Sequence, residues 1–154
     1  MTQFNGFEDL AEEFSELAQE FEAVADRFDS AVDTGVRDTT LQIEATAKEN
    51  VSVDSGTLRS SLAHLRAGQA DYRVGTNVPY AEDVEKGTSP HVITPDDADA
   101  LHFTVNGQEV FAARVEHPGT PAQPYLGPAL HEHEDALVEN IQDEIARLLR
   151  AVFR

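Results

Sequence analysis

HPGTPAQPYLGPAL, residues 117–130, is the stretch that decides how the rest of the chain is read. Prolines at 118, 121, 124 and 128 alternate with small residues. Proline fixes φ and lacks an N–H, so the run is neither an interior helix nor a central strand. It reads as a stiff, extended arm over residues 117–128 that ends at a helix start, with Pro128 accommodated only near the first turn. From residue 129 to 154 the pattern is helical. Leu137, Ile141, Ile145, Leu148, Leu149 and Val152 form one apolar face, and Arg147, Arg150 and Arg154 sit where positive charge suits the helix dipole.

Immediately upstream, Leu101–Val105 and Glu109–Val115 alternate with period two around Asn106-Gly107, a strong hairpin signal. Residues 71–116 as a whole read as a sheet region with one short helix. Asp71–Thr76 is a strand, His91–Thr94 a short edge strand, and Tyr80–Lys86 two helical turns with Tyr80, Ala81 and Val84 as the apolar face. Gly87-Thr88-Ser89-Pro90 closes that helix. Before it, Asp54-Ser55-Gly56-Thr57 is turn chemistry, and Leu58, Leu62 and Leu65 fit a short helix or a strand.

Residues 1–50 read as helical. Phe7, Phe14, Phe21 and Phe28 lie seven apart, with Leu10, Leu17 and Val24 between them, giving one narrow seam on an acidic helix. Burying these seven side chains would stabilise by on the order of 10–20 kcal/mol before opposing costs. Such a seam must meet either its own domain or a neighbouring subunit. The pattern weakens over Asp29–Gly35 and resumes at Val32, Val36, Thr40, Ile43 and Ala47, as one helix continuing or as a second after a kink. The whole is an α+β chain, a single domain over 1–154. A small antiparallel or mixed β-sheet with a β-hairpin is flanked by long N-terminal and C-terminal helices.

The formal net charge is −18, from 29 acidic and 11 basic residues, and the acidity spans the whole chain. Self-repulsion of that size destabilises a compact state at low salt and is screened at high salt. The composition reads as that of a halophile or of a virus of one. It also argues against tight binding to a nucleic-acid backbone, which needs cations against phosphates. No window has the ~20 apolar residues that span a membrane, and no secretory signal is read at the N-terminus. There is no cysteine, so thiol nucleophiles and zinc–thiolate sites are excluded.

No constellation points to catalysis. His131 and His133 are two apart, a spacing that does not share a helix face, and no His-Glu-x-x-His is present. Ser55-Gly56 and Ser60-Ser61 lack a nucleophile elbow, and His64 makes no triad with them. Among so many carboxylates no acid–base pair stands out. The expectation is a protein that is not an enzyme and holds no cofactor or metal.

Three segments in order, Asp54–Leu62 (DSGTLRSSL), Val74–Thr88 (VGTNVPYAEDVEKGT) and His117–Leu130, resemble the neck and tail-completion proteins of long-tailed phages, the minor tail component or head–tail connector family. Together they cover most of residues 54–130. The acidity departs from what ordinary bacterial phages carry and points to a tailed virus or provirus of a salt-loving host. The resemblance implies a structural virion protein, a neck connector or tail-completion subunit joining the capsid portal complex to the tail tube. It implies a homo-oligomeric ring, six-fold or a multiple of it. Partners would be a head-side connector or stopper protein and the tail-tube protein, with DNA passing through the lumen unbound. Assembly would take place in the host cytoplasm, without a membrane. A tail terminator capping the tube is the nearest alternative, and a soluble helix-mediated or chaperone-like binding module the alternative of another class.

As interface residues the sequence offers Phe7, Phe14, Phe21 and Phe28 on the seam, Tyr80 and Glu85 on the short helix, and Pro121, Pro124, Tyr125 and Leu126 on the arm. Tyr125 and Leu126 are the aromatic and aliphatic anchors of this set. On that reading Tyr125→Ala abolishes assembly and leaves the fold intact.

Overall fold

A computed structural model describes residues 6–52, 56–96 and 99–153. Helix α1 (Gly6–Asn50) is unbroken for 45 residues, about 67 Å at 1.5 Å per residue. The weakened pattern at Asp29–Gly35 is therefore no kink. Gly35 sits there because α5 crosses at that point: a Cβ on Gly35 would lie 2.7 Å from Ile141 Cα. The turn at Asp54-Ser55, with Val53 before it, and Arg154 fall outside the described residues.

Helix α2 (Gly56–Ser61) carries Leu58 inward. Leu62 is also buried, but Leu65 belongs to strand β1 (Ala63–Gly68) and is exposed, so the leucine period spans two elements. Strand β1 pairs antiparallel with β2 (Asp71–Gly75). Helix α3 (Ala81–Lys86) follows, then β3 (His91–Ile93), β4 (Leu101–Val105), β5 (Gln108–Ala112) and β6 (Val115–His117). Strands β4 and β5 close on Asn106 and Gly107, both at positive φ as a type I′ turn requires. The second arm of that hairpin is shorter than the sequence suggests. It ends at Ala112, and Val115 leaves to pair with Ile93 in a separate ladder of β6 with β3. Among the described residues there are thus three two-stranded antiparallel ladders rather than one sheet.

The C-terminal helix starts earlier than its apolar face suggests and is divided at His133. Helix α4 (Leu126–Glu132) takes Pro128 in its first turn, and α5 (Glu134–Val152) runs back antiparallel to α1. Three hydrogen bonds record this packing: His133 Nε2, just before α5, lies 2.8 Å from Thr46 Oγ1, and Asn140 donates to Thr39 Oγ1 at 2.9 Å and to Gln42 Oε1 at 3.3 Å. Asp33 fastens the first hairpin to α1, accepting from Arg66, the Ala70 N–H and the Tyr72 hydroxyl at 2.8–3.1 Å. The Ala70 bond is the main reason its carboxyl is held below the usual range, with Arg66 and Tyr72 adding to it against desolvation. Glu44 does the same one step along, paired with Lys48 and with His64 of β1.

The core is small and lies at one end. Ala47 from α1 and Val51 just past its end pack with Leu58, Leu62, Ala81, Tyr125 and Ala129. The opposite end of α1, some 60 Å away along the helix axis, has no such cover. The accessible surface is 11642 Å². A compact monomer of 16.9 kDa exposes about 7,700 Å².

Candidate assembly interface

The three sequence segments that carry the resemblance converge on the core. Leu58 and Leu62 come from the first, Ala81 and Val84 from the second, Tyr125 and Ala129 from the third. Two Gly-Thr pairs lock the second segment to the third. Thr88 and Thr120 exchange backbone hydrogen bonds at 2.9 and 3.2 Å. Gly87 and Gly119 approach the opposite strand so closely that a Cβ would meet carbonyl oxygens at 2.6 and 2.2 Å. Both are at positive φ, so glycine is required twice over. Gln123 N–H adds a bond to Val84 O at 2.8 Å.

Glu85 completes the lock. Its Oε2 accepts from the N–H groups of Tyr125 and Leu126 at 2.8 and 2.9 Å, and its Oε1 from Gly127 at 2.9 Å. These are the unpaired donors of the first turn of α4, so a carboxylate 40 residues upstream in sequence caps that helix. Burial pushes the Glu85 carboxyl up, but the three N–H groups outweigh it and hold the carboxyl below its ordinary value.

The ten expected interface residues therefore divide. Tyr125 is 3% exposed and faces inward, its hydroxyl towards Ala81 O, so its anchoring contact is made within the subunit. Leu126 is half-buried against the same core, and Glu85 is a cap. The rigid arm itself turns Tyr125 inward, because the Gly-Thr clasp fixes it on α3. Tyr80, Pro121 and Pro124 remain at the surface, and the first two line a shallow hollow of about 280 Å³ with Val51, Leu58 and Gln123.

The seam behaves differently. Phe7, Phe14 and Phe21 are 86%, 64% and 67% exposed, and Leu10 and Leu17 are also open. Phe28 is half-buried where α5 arrives. Between the helices lies an open, apolar groove of about 390 Å³ lined by Phe21, Val24, Phe28, Leu149, Val152 and Phe153. Phe153 is 82% exposed. Phe7 and Phe14 lie beyond the groove along α1. An uncovered apolar surface of this extent is the candidate interaction surface of the described residues. The seven-residue spacing alone pointed to it.

Residues 15–87 match the family model described as Bacteriophage HK97-gp10, putative tail-component. The matched region runs from residue 15, within the seam and beyond Phe7 and Phe14, through α2, the first hairpin and α3 to Gly87 of the clasp, and includes the first resembling segment and the second up to Gly87. Over these residues the chain is similar to a tail component of a tailed phage. No curated protein and no solved structure gives a significant match. No helix among the described residues is long and apolar enough to cross a membrane.

Proposed function

We propose that the chain is a structural subunit of the head–tail junction, a neck connector or tail-completion protein that assembles into a ring between the portal complex and the tail tube. The observation that carries this reading is the uncovered phenylalanine seam on a chain with an HK97-gp10-like region. The surface excess of about 4,000 Å² over a compact monomer supports it, since obligate interfaces bury roughly 2,000–5,000 Å². Head-to-tail contacts that close give cyclic assemblies, and the resemblance favours six-fold symmetry. The ring would meet a head-side connector or stopper on one face and the tail-tube protein on the other. A lumen lined with carboxylates would repel DNA phosphates and let the genome slide. The overall acidity is read as an adaptation to concentrated salt.

Solution mass by light scattering tests this at about 2–3 M and at 0.1 M salt, where the screening length differs about threefold or more. A ring-sized particle in high salt that dissociates or unfolds in low salt is the expected result. A folded monomer at both concentrations refutes it.

A further inference from the structure

We infer that the projecting end of α1 from one copy seats Phe7 and Phe14 in the α1–α5 groove of a second copy, head to tail. This rests on the ring reading above and specifies its contact. Three observations carry it.

Area comes first. With roughly 200 Å² for a whole phenylalanine, the uncovered parts of Phe7, Phe14, Phe21 and Phe153 come to about 600 Å² per copy. Leu10, Leu17 and Leu149 bring this to about 800 Å² per copy, shared between its donor end and its groove, so that each contact takes about 400 Å² from each partner and a closed ring with two contacts per copy covers the whole.

Shape is second. The seven-residue repeat that aligns the phenylalanines also aligns Ala11, Ala18 and Ala25 along one shoulder of the seam. All three are exposed. Small side chains there let another helix approach closely on that side, while the phenylalanines project as knobs.

Charge is third. The other shoulder continues Glu13, Glu20, Arg27, so the projecting end is wholly acidic, whereas the groove, which Glu20 also lines, has Arg27 next to its Phe28. The chain has only 11 basic residues. Two of them, Arg27 beside Phe28 and Arg150 beside Leu149, make no ion pair among the described residues. Neither lines the groove itself, but each is next in sequence to a residue that does, and Arg150 shares a neighbouring hollow with Leu149 and Phe153. Glu12, Glu13 and Glu16 of an incoming α1 would meet them, and the opposite orientation would set acid against acid.

Because donor and acceptor are different surfaces, they can be disabled separately. Phe7→Glu with Phe14→Glu removes the donor and leaves the groove. Leu149→Glu with Phe153→Glu removes the groove and leaves the donor. All four positions are exposed, so each variant keeps the wild-type helix content and melting temperature by circular dichroism. Each alone is monomeric in the salt where the wild type assembles. Mixed in equal amounts, they form one capped heterodimer of about 34 kDa, twice the 16.9 kDa chain. A mixture that stays monomeric while the wild type forms rings overturns this contact and leaves the ring reading standing. A wild type that stops at a dimer overturns the head-to-tail arrangement. A wild type that is monomeric throughout overturns both.

Discussion

Gly35→Ala is a substitution whose sign separates tertiary packing from helix propensity. Alanine in place of glycine within an exposed helix stabilises by about 1 kcal/mol. Here the added Cβ would stand 2.7 Å from Ile141 Cα, 2.8 Å from its N and 2.9 Å from its Cγ1. Carbon atoms are comfortable at about 3.5–4.0 Å, and the two nearest obstacles are backbone that no rotamer change can move. The helices must part by roughly 1 Å, straining the Asn140 bonds to Thr39 and Gln42 on the same face. Overpacking costs about 1–3 kcal/mol, so the net effect is a loss of up to about 2 kcal/mol after the propensity gain. For a chain of this size that lowers Tm by up to about 4–8 °C, read by circular dichroism in high salt. Adding Ile141→Ala removes only the Cγ1 contact and does not restore the wild-type Tm. A Gly35→Ala protein that melts higher than wild type refutes the close crossing.

Glu85→Gln should cost about 1–2 kcal/mol at pH 7, the worth of a charged cap on three N–H groups. The folded pKa of Glu85 lies below its ordinary 4.5, so this stabilisation is complete above that value and is lost as pH falls through the folded pKa. The Tm difference between wild type and variant should therefore shrink below about pH 4; a difference that stays constant down to pH 3 counts against the cap. Tyr125→Ala should cost about 3–5 kcal/mol, in line with other buried aromatics. Assembly is then lost together with the fold, and a stably folded Tyr125→Ala protein deficient only in assembly would return the residue to the interface.

Local patterns in the chain are legible where one residue type repeats or where a turn dictates its own chemistry. The phenylalanine seam, the Asn106-Gly107 hairpin and the stop at Gly87 are of this kind. What could not be read depends on contacts distant in sequence. Gly35 looks like a break until Ile141 is placed against it. EVFAARV alternates without interruption, yet it splits at Ala113–Arg114 because Val115 has its partner in β3. Nothing near Glu85 marks it as a cap, since the helix it caps begins 41 residues later. The arm was legible as stiff, but not in the direction it points. Stiffness holds Tyr125 wherever the Gly-Thr clasp aims it, and the clasp aims it inward.

Charge requires the reverse weighting. With 29 carboxylates, the position of any single one says little, whereas the position of each of the 11 cations is informative. Arg66 joins the first hairpin to Asp33, Arg59 reaches Val51 O, Lys48 shares Glu44 with His64, and Arg147 pairs with Glu144. Arg66 and Arg59 hold one part of the subunit to another, Glu44 joins Lys48 of its own helix to His64 of β1, and Arg147 pairs within α5. Arg27 and Arg150 do no such work, and both stand beside the apolar groove, where a neighbour's acidic helix would neutralise them. Concentrated salt screens the general repulsion between two such acidic subunits while leaving apolar burial favourable. On the reading proposed above, a surface acidic enough to keep subunits apart in dilute solution would become, at high ionic strength, one in which a few phenylalanines, whose burial salt does not weaken, decide what associates.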